Sequence, residues 1–366
     1  MKIIDVQTDK IRVPLNKPFK TALRSVTEAE SVIVAIRCDD GTVGIGEAPP
    51  TAVITGDTTA SIEYAIMEII RPRIIGLAIE QRAQIDAAVN HAIRHNSSAK
   101  AAIDIAVYDC LARAADLPLF QLLGGARERL ETDYTVSVNP AAEMAEDALQ
   151  LVRAGFTTLK IKVGNSTIDE DITRVETIRR AVGRDVKLRL DANQGWRAKE
   201  AIHAIHRLEA LELDIELVEQ PVAADDFDGM KAVCSHVTTP IMADESIFSA
   251  REAARLLAMH GCDMVNIKLM KCGGITGALQ INALAEAYGI PCMVGCMVES
   301  GVSVSAACHV AAACTNVTRC DLDTPLMFAA DPVSGGARYN GKDICLPSSP
   351  GLGINSVTCI GGVIKC

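Results

Sequence analysis

Short apolar runs recur along residues 133–323 and limit the folds that this chain can adopt. Eight runs follow one another at steps of 24–29 residues, and six of them end in a charged side chain. One marker residue for each run is Thr135, Lys162, Asp191, Glu219, Asp244, Lys268, Cys296 and Asp321. The intervening segments show apolar residues at helical spacing, and some stop at a glycine. Eight strands alternating with helices predict an α/β protein with a (β/α)8-type (modified TIM) barrel, whose active site lies at the C-terminal ends of the strands.

The first part of the chain has a different pattern. Residues 3–13, 31–38 and 42–47 are predicted to be antiparallel strands, and three helical runs follow at residues 58–70, 80–95 and 97–115. Residues 18–27 and 49–57 lack a regular pattern and are predicted to be loops. We predict an N-terminal α+β capping domain at residues 1–125, a barrel with the catalytic site at 126–330, and a tail at 331–366 that packs on the capping domain.

Composition excludes several classes of partner. A net charge of −10 and a pI near 5.3 give no support for binding nucleic acid or an anionic membrane. The longest apolar stretch, residues 301–314, is too short to span a bilayer, and we expect no signal peptide. The 13 cysteines are scattered and form no Cys-x-x-Cys pair, so we expect reduced thiols in a cytoplasmic protein.

Three carboxylates end neighbouring strands of the predicted barrel. Asp191, Glu219 and Asp244 end the third, fourth and fifth strands, and Asn193 lies nearby. Adjacent carboxylates repel each other unless a cation lies between them. Ligation by oxygen alone favours a hard ion, so we expect one Mg²⁺ per subunit, with Mn²⁺ as the second choice. The alternative is an acidic surface patch.

Lysines end strands on both sides of that predicted metal site. Lys160 and Lys162 are two residues apart and share one face of the second strand, where repulsion lowers the pKa of at least one of them. A lone Lys-x-Lys is also compatible with an exposed strand. Lys268 ends the sixth strand, which faces the second across the mouth. We therefore predict Lys162 and Lys268 as two catalytic bases that act on opposite faces of one carbon, with Lys160 beside the substrate.

The reaction that this arrangement predicts is the inversion of a carbon next to a carboxylate. Mg²⁺ on the carboxylate would stabilise the enediolate that forms when the α-proton is removed. Asp321 and Asp323 end the eighth strand, opposite the metal, and are expected to bind a cationic group. A dipeptide fits both ends, with its C-terminal carboxylate at the metal and its ammonium group at the aspartates. Thr135, at the end of the first strand, is placed in the wall of this pocket.

Together these motifs resemble the enolase superfamily in its muconate-lactonizing branch. The resemblance is carried by Lys160-Ile161-Lys162, Asp191-Ala192-Asn193, Glu219-Gln220-Pro221, Ala243-Asp244-Glu245 and Asn266-Ile267-Lys268. The pair in Asp321-Leu322-Asp323 is similar to that of the dipeptide epimerases. The resemblance implies Mg²⁺, a two-lysine 1,1-proton transfer, and a cap built from the N-terminal module and the C-terminal tail.

The same resemblance suggests a substrate. Arg24 resembles the arginine that receives the glutamate side chain in epimerases of L-Ala-D/L-Glu. Cys296 and Val298, at the end of the seventh strand, are neutral, which argues against a cationic dipeptide as the substrate. We expect interconversion of L-Ala-D-Glu and L-Ala-L-Glu, which would place the chain in peptidoglycan recycling, and we expect a homo-oligomer.

Other functions remain open at this point. An N-acylamino acid racemase, an o-succinylbenzoate synthase or a lactonizing enzyme would share the lysines and the metal, but they have no evident use for the two aspartates. An epimerase of hydrophobic dipeptides is a further alternative. A Schiff-base enzyme would need one lysine in an apolar pocket. A non-catalytic metal-binding protein would exchange no α-proton.

Overall fold

The N-terminal part is a three-stranded antiparallel sheet covered by helices in the computed structural model, which describes residues 1–125 and 127–366. The predicted domain boundary at residue 126 falls outside the described residues. The elements are β1 (Ile3–Lys20), β2 (Ser25–Cys38), β3 (Val43–Ala48), α1 (Thr59–Tyr64), a π-helical segment (Ala65–Ile70), α2 (Arg71–Ile74), α3 (Arg82–Asn90), α4 (Ser97–Ala114), α5 (Leu119–Leu122) and β4 (Arg129–Glu131).

The first hairpin corrects the prediction of an irregular loop over residues 18–27. Lys20 still pairs with Ser25, so β1 and β2 extend through most of that segment and only the residues between them form the turn. The Thr21 N–H donates to the Arg24 carbonyl at 2.9 Å, and the Thr21 hydroxyl accepts the Arg24 N–H. Local turn chemistry therefore presents Arg24 at the tip of a hairpin.

Helix α4 lies directly against β3 because two glycines leave room for it. A Cβ atom at Gly44 would overlap the carbonyl oxygen of Ala106, and one at Gly46 would overlap that of Ala102. Such close approach of two backbones requires a residue without a side chain. The contact joins the sheet and α4 in one buried apolar core.

Eight parallel strands form the second part, within the described residues, and they pair in chain order. The strands are β5 (Tyr134–Val136), β6 (Thr158–Lys162), β7 (Lys187–Asp191), β8 (Ile215–Glu219), β9 (Ile241–Ala243), β10 (Met264–Lys268), β11 (Cys292–Gly295) and β12 (Val317–Asp321). The helices are α6 (Ala141–Arg153), α7 (Ile168–Val182), α8 (Ala198–Ala210), α9 (Phe227–His236), α10 (Ala250–Ala258), α11 (Leu269–Cys272), α12 (Ile275–Ala287) and α13 (Gly301–Ala313). The predicted (β/α)8-type barrel with an N-terminal α+β cap is confirmed.

Side chains that point into the barrel change in character along the strands. An apolar cluster is formed there by Leu217, Met242, Met264 and Met293. Because strand side chains alternate with a period of two, the residues two positions further along point to the same interior. Two of these are Glu219 and Asp244, so the polar layer lies directly above the apolar one.

The first and last strands, β5 and β12, stand at the two ends of the sheet order. In the part of the chain that the structure describes, individual hydrogen bonds join them instead of a continuous ladder. The Asp133 N–H donates to the Cys320 carbonyl at 3.3 Å, and the Thr135 N–H donates to a carboxylate oxygen of Asp323 at 2.6 Å. This seam lies beside the predicted cation-binding aspartates.

The C-terminal tail contacts both parts of the chain. A 3₁₀ helix (Thr324–Met327) precedes it, and its elements are β13 (Val333–Gly335), β14 (Arg338–Asn340), β15 (Asp343–Cys345), β16 (Ile354–Cys359) and β17 (Gly362–Lys365). The Ile360 N–H donates to the Lys10 carbonyl in β1 at 2.8 Å. Strand β15 pairs with β4, the strand that precedes the first barrel strand in the chain. Every helix of the described residues is too short or too polar to cross a membrane.

Candidate active site

One cavity at the C-terminal ends of the barrel strands collects the predicted lysines and substrate-binding residues. They are Arg24, Thr135, Lys160, Lys162, Lys268, Cys296, Val298, Asp321 and Asp323. Residues of the cap close the cavity from above, among them Phe19, Leu23, Val53 and Ile54. Residues from far-separated parts of the chain therefore face the same enclosed space.

The three predicted metal ligands are fully buried at the ends of neighbouring strands. Oδ1 of Asp191 accepts the N–H of Asn193 at 2.9 Å, and Oε1 of Glu219 accepts the side-chain amide of Asn266 at 2.8 Å. Oε2 of Glu219 lies 2.8 Å from Nζ of Lys160, and Oδ1 of Asp244 lies 2.6 Å from Nζ of Lys271, so both oxygens face cationic groups. Buried carboxylate oxygens in such a setting are suited to a cation.

Buried lysines form ion pairs with two of these carboxylates. Nζ of Lys162 lies 2.5 Å from Oδ2 of Asp191, and Nζ of Lys268 lies 2.7 Å from Oδ2 of Asp244. Nζ of Lys271 lies 2.6 Å from the other oxygen of Asp244. Lys162 and Lys268 thus reach the carboxylates from β6 and β10, which are separated by three strands in the sheet order.

Negative charge exceeds positive charge in this buried cluster. Its carboxylates belong to Asp191, Glu219, Asp244, Glu245, Asp321 and Asp323, and its ammonium groups belong to Lys160, Lys162, Lys268 and Lys271. Six carboxylates against four ammonium groups leave a formal charge of −2. Burial and the charge of Asp191 raise the pKa of Glu219 to about 8, and burial and Asp244 raise the pKa of Glu245 to about 7. The excess of carboxylates and the all-oxygen donor set therefore suit a hard cation.

The carboxylates do not by themselves form a finished metal site. Among the described residues, no three acidic, histidine or cysteine side chains are arranged to hold a metal ion. The ammonium groups of Lys162 and Lys268 contact carboxylate oxygens of Asp191 and Asp244 that a metal ion would also contact. Metal binding would therefore have to move these lysines from the carboxylates.

Lys160 is surrounded by three carboxylates. Its Nζ lies 2.7 Å from Asp321, 2.8 Å from Glu219 and 3.1 Å from Asp191. Burial lowers the pKa of this lysine, but the three carboxylates outweigh burial and raise its pKa well above the usual value. Repulsion from Lys162 therefore does not decide the pKa of Lys160, because three carboxylates surround its ammonium group.

Asp321 and Asp323 flank Leu322 at the end of β12. Oδ2 of Asp321 contacts Lys160, and Oδ2 of Asp323 accepts the Thr135 N–H at 2.6 Å. Burial and the charge of Asp321 raise the pKa of Asp323 to about 7. Burial acts in the same direction on Asp321, but Lys160 outweighs it and lowers the pKa of that carboxyl.

The cap contributes a cation to the cavity. Arg24 is half-buried, and burial alone lowers the pKa of its guanidinium, with no charged group of the described residues contributing. The strand-seven side of the cavity is uncharged, since burial raises the pKa of the Cys296 thiol well above its usual value and Val298 is buried and apolar. The Cys296 thiol lies 3.3 Å from the Asp321 carbonyl oxygen.

Three further residues complete the cluster, although the sequence pattern alone does not assign them to it. Asn266 binds Glu219, Lys271 binds Asp244, and Glu245 accepts the side-chain amide of Asn193 at 3.1 Å. Asn266 stands two residues before Lys268, so the period of two could have placed it inside the barrel.

Comparison with protein families covers nearly the whole chain. Residues 3–124 match the family described as mandelate racemase / muconate lactonizing enzyme, N-terminal domain. Residues 143–357 match the family described as enolase C-terminal domain-like.

Individual proteins are also similar over the full length. The L-Ala-D/L-Glu epimerase of Bacillus subtilis is 54% identical over 99% of this chain and 99% of its own length. The hydrophobic dipeptide epimerase of Enterococcus faecalis is 45% identical over 97% of this chain and all of its own. The structure of a substrate-liganded complex of the Bacillus subtilis enzyme superposes with a TM-score of 0.96 at 55% identity, covering 97% of this chain and 99% of that one. The Enterococcus faecalis enzyme with Mg and L-Leu-L-Tyr gives a TM-score of 0.94 at 45% identity, with 97% and 99% covered.

Proposed function

The chain belongs to the mandelate racemase / muconate lactonizing enzyme family of the enolase superfamily and is an isomerase that epimerises dipeptides, and on this premise we propose its substrate and mechanism. The proposed reaction interconverts L-Ala-D-Glu and L-Ala-L-Glu. Two lysines exchange the α-proton of the C-terminal residue, with Mg²⁺ as the cofactor.

The main support for this proposal is that Lys162 and Lys268 reach the site from different barrel strands, β6 and β10. Each ammonium group contacts a different buried carboxylate, at 2.5 Å and 2.7 Å. A substrate α-carbon between β6 and β10 would have one lysine at each face. One lysine takes the α-proton, and the other returns a proton to the opposite face, so the configuration inverts. Only a lysine in its neutral form can take the proton. Burial lowers the pKa of Lys268, but the Asp244 carboxylate outweighs burial and raises that pKa.

Asp191, Glu219 and Asp244 are the residues proposed to hold the metal. Their support is the all-oxygen donor set and the excess of carboxylates over ammonium groups in the buried cluster. When bound, Mg²⁺ supplies positive charge for the substrate carboxylate and for the negative charge that develops as the α-proton leaves. A solved relative holds Mg and a dipeptide together.

Asp321 and Asp323 are proposed to bind the substrate ammonium group, with Thr135 and Cys296 beside them. Asp323 is held by the Thr135 N–H, and the Cys296 thiol contacts the carbonyl of Asp321. Two carboxylates in an enclosed site prefer a cationic ligand to a neutral amide. This preference favours a free dipeptide over the N-acylated substrate of a racemase.

Arg24 is proposed to bind the glutamate side chain. Its guanidinium is half-buried in the cap, and no charged group of the described residues contributes to its pKa. A carboxylate ligand would give this cation a partner and could bind it in a bidentate way. Val298 and the cap residues beside Arg24 fit the methylene groups of such a side chain.

An epimerase of hydrophobic dipeptides is the second candidate. Leu23, Val53 and Met297 line the same cavity as Arg24, and one relative is named a hydrophobic dipeptide epimerase. Comparing kcat/KM for L-Ala-L-Glu and L-Ala-L-Leu separates the two. A preference for L-Ala-L-Leu would contradict the glutamate assignment and leave dipeptide epimerisation intact.

The compartment and pathway are also proposed. All thirteen cysteines are free thiols, which supports a reducing compartment such as the cytoplasm. An epimerase of L-Ala-D/L-Glu there would fit the recycling of peptidoglycan peptides.

A further inference from the structure

Leu322 lies between Asp321 and Asp323 in the chain. Its backbone N–H and carbonyl both form hydrogen bonds with side chains. The Leu322 N–H donates to Oγ1 of Thr132 at 2.9 Å. The hydroxyl of Tyr339 donates to the Leu322 carbonyl at 2.6 Å. Leu322 is fully buried, so these groups have no access to water.

The position of β12 explains why side chains are needed here. The strand ends at Asp321 and is the last in the sheet order, so no further ladder strand of the described residues is available to Leu322. Buried backbone groups require partners. The neighbouring carbonyls find backbone partners, since the Asp321 carbonyl accepts the Cys296 N–H at 3.1 Å and the Asp323 carbonyl accepts the Leu326 N–H at 3.0 Å.

A small sheet outside the barrel supplies both side chains. Tyr339 lies in β14, which pairs with β15, and β15 pairs with β4. Thr132 directly follows β4, and its N–H donates to the Lys342 carbonyl at 2.9 Å. Its hydroxyl also donates to the Asp133 carbonyl at 3.0 Å, so this hydroxyl is fixed as both donor and acceptor. The C-terminal tail is thereby connected to the segment that carries Asp321 and Asp323.

We propose that Thr132 and Tyr339 are positioning residues that orient the carboxylates of Asp321 and Asp323 toward the substrate ammonium group. This rests on the proposed function, in which those aspartates bind the ammonium group. The peptide units on either side of Leu322 set the directions in which the two aspartate side chains leave the backbone. Charge-assisted hydrogen bonds depend on distance and angle, so a rotation of these units weakens binding of the cation.

The test compares two ligands that differ only in the ammonium group. L-Ala-L-Glu and N-propionyl-L-Glu have the same shape apart from the amine. Dissociation constants are measured by calorimetry on the Mg²⁺-loaded full chain. The variants are Tyr339→Phe and Thr132→Val, with Thr132→Ser as the conservative rescue, since serine keeps the hydroxyl. Tyr288→Phe is the matched control because Tyr288 is exposed at the end of α12.

Loss of one buried hydrogen bond is expected to weaken binding of L-Ala-L-Glu by about tenfold in each of the first two variants. Binding of N-propionyl-L-Glu should change by less than about twofold, because that ligand makes no charged contact with the aspartates. Thr132→Ser and Tyr288→Phe should bind both ligands as the wild type does.

Two results would overturn the positioning role. Equal losses for both ligands would show that the hydroxyls only support the fold, and unchanged affinity for both would show that they are not needed. If Thr132→Val does not fold, Tyr339→Phe still decides between these outcomes. A wild type that binds L-Ala-L-Glu without epimerising it would contradict the proposed function alone, because the affinity ratio still reports on Thr132 and Tyr339.

Discussion

The ammonium group of Lys160 lies 2.7 Å from the carboxylate of Asp321, and this one ion pair connects the second strand of the barrel to the eighth. The same ammonium group contacts Glu219 at 2.8 Å. Lys160 therefore links the carboxylates proposed for the metal with an aspartate proposed for the substrate amine. A change at this lysine should affect both halves of the site.

Replacing Lys160 by methionine should destabilise the metal-free protein. Removal of one partner leaves buried carboxylates uncompensated, which costs about 3–5 kcal/mol in the free energy of unfolding. Denaturant titration of metal-free and Mg²⁺-loaded protein measures the effect, and Mg²⁺ should reduce the loss. Lys187→Met is the control, since that lysine side chain is 66% exposed. Similar losses in the two variants would contradict the buried-pair role.

Removal of the metal should abolish activity. A chelator should stop epimerisation of L-Ala-L-Glu, and added Mg²⁺ should restore it. Asp191→Asn, Glu219→Gln and Asp244→Asn should each lower kcat by at least about 100-fold, because each removes a charged oxygen beside the developing negative charge. Glu176→Gln, on the surface of α7, should leave kcat unchanged. Full turnover in excess chelator would exclude the metal assignment.

The aspartates at the end of β12 should matter chiefly for substrates with a free amine. Asp321→Asn or Asp323→Asn is expected to raise KM for L-Ala-L-Glu about tenfold or more, because a charged hydrogen bond contributes about 1.5–3 kcal/mol. N-acetyl-L-Ala-L-Glu should be a poor substrate of the wild type. Steady-state kinetics with both compounds measures this. Equal use of the two would favour an N-acylamino acid racemase.

Arg24 should determine the preference for glutamate. Arg24→Ala should lower kcat/KM for L-Ala-L-Glu far more than for L-Ala-L-Leu, since only the former loses a charged partner in the cap. We expect the ratio of the two values to fall by about 10-fold or more. Arg37→Ala, an exposed arginine of the same sheet, is the control. Equal loss for both dipeptides would contradict the assignment of Arg24.

Much of the barrel could be predicted because its signals are local. Each strand is a short apolar run, and a period of two decides which residues share a face. Lys162, Asp191 and Lys268 could therefore be placed at one end of the barrel from spacing alone. The hairpin that presents Arg24 was harder to predict, because Pro18 and polar residues conceal a pairing that tertiary contacts support.

The contacts that were missed depend on residues far apart in the chain. Thr132 meets Leu322 across 190 positions, and no local pattern marks that hydrogen bond. The raised pKa of Lys160 has the same origin, since its strongest partner, Asp321, is 161 positions away. Local repulsion from Lys162 was visible in the sequence, whereas the surrounding carboxylates became visible only in three dimensions.

Exchange of the α-proton in D₂O tests the two-lysine mechanism most directly. Lys162→Ala and Lys268→Ala are incubated with L-Ala-L-Glu and with L-Ala-D-Glu, and deuterium uptake and configuration are followed by NMR. Each variant should fail to epimerise, and each should exchange the α-proton of one stereoisomer only, with opposite choices in the two variants. Exchange of the same stereoisomer by both variants, or epimerisation by either at the wild-type rate, would contradict bases on opposite faces of the α-carbon.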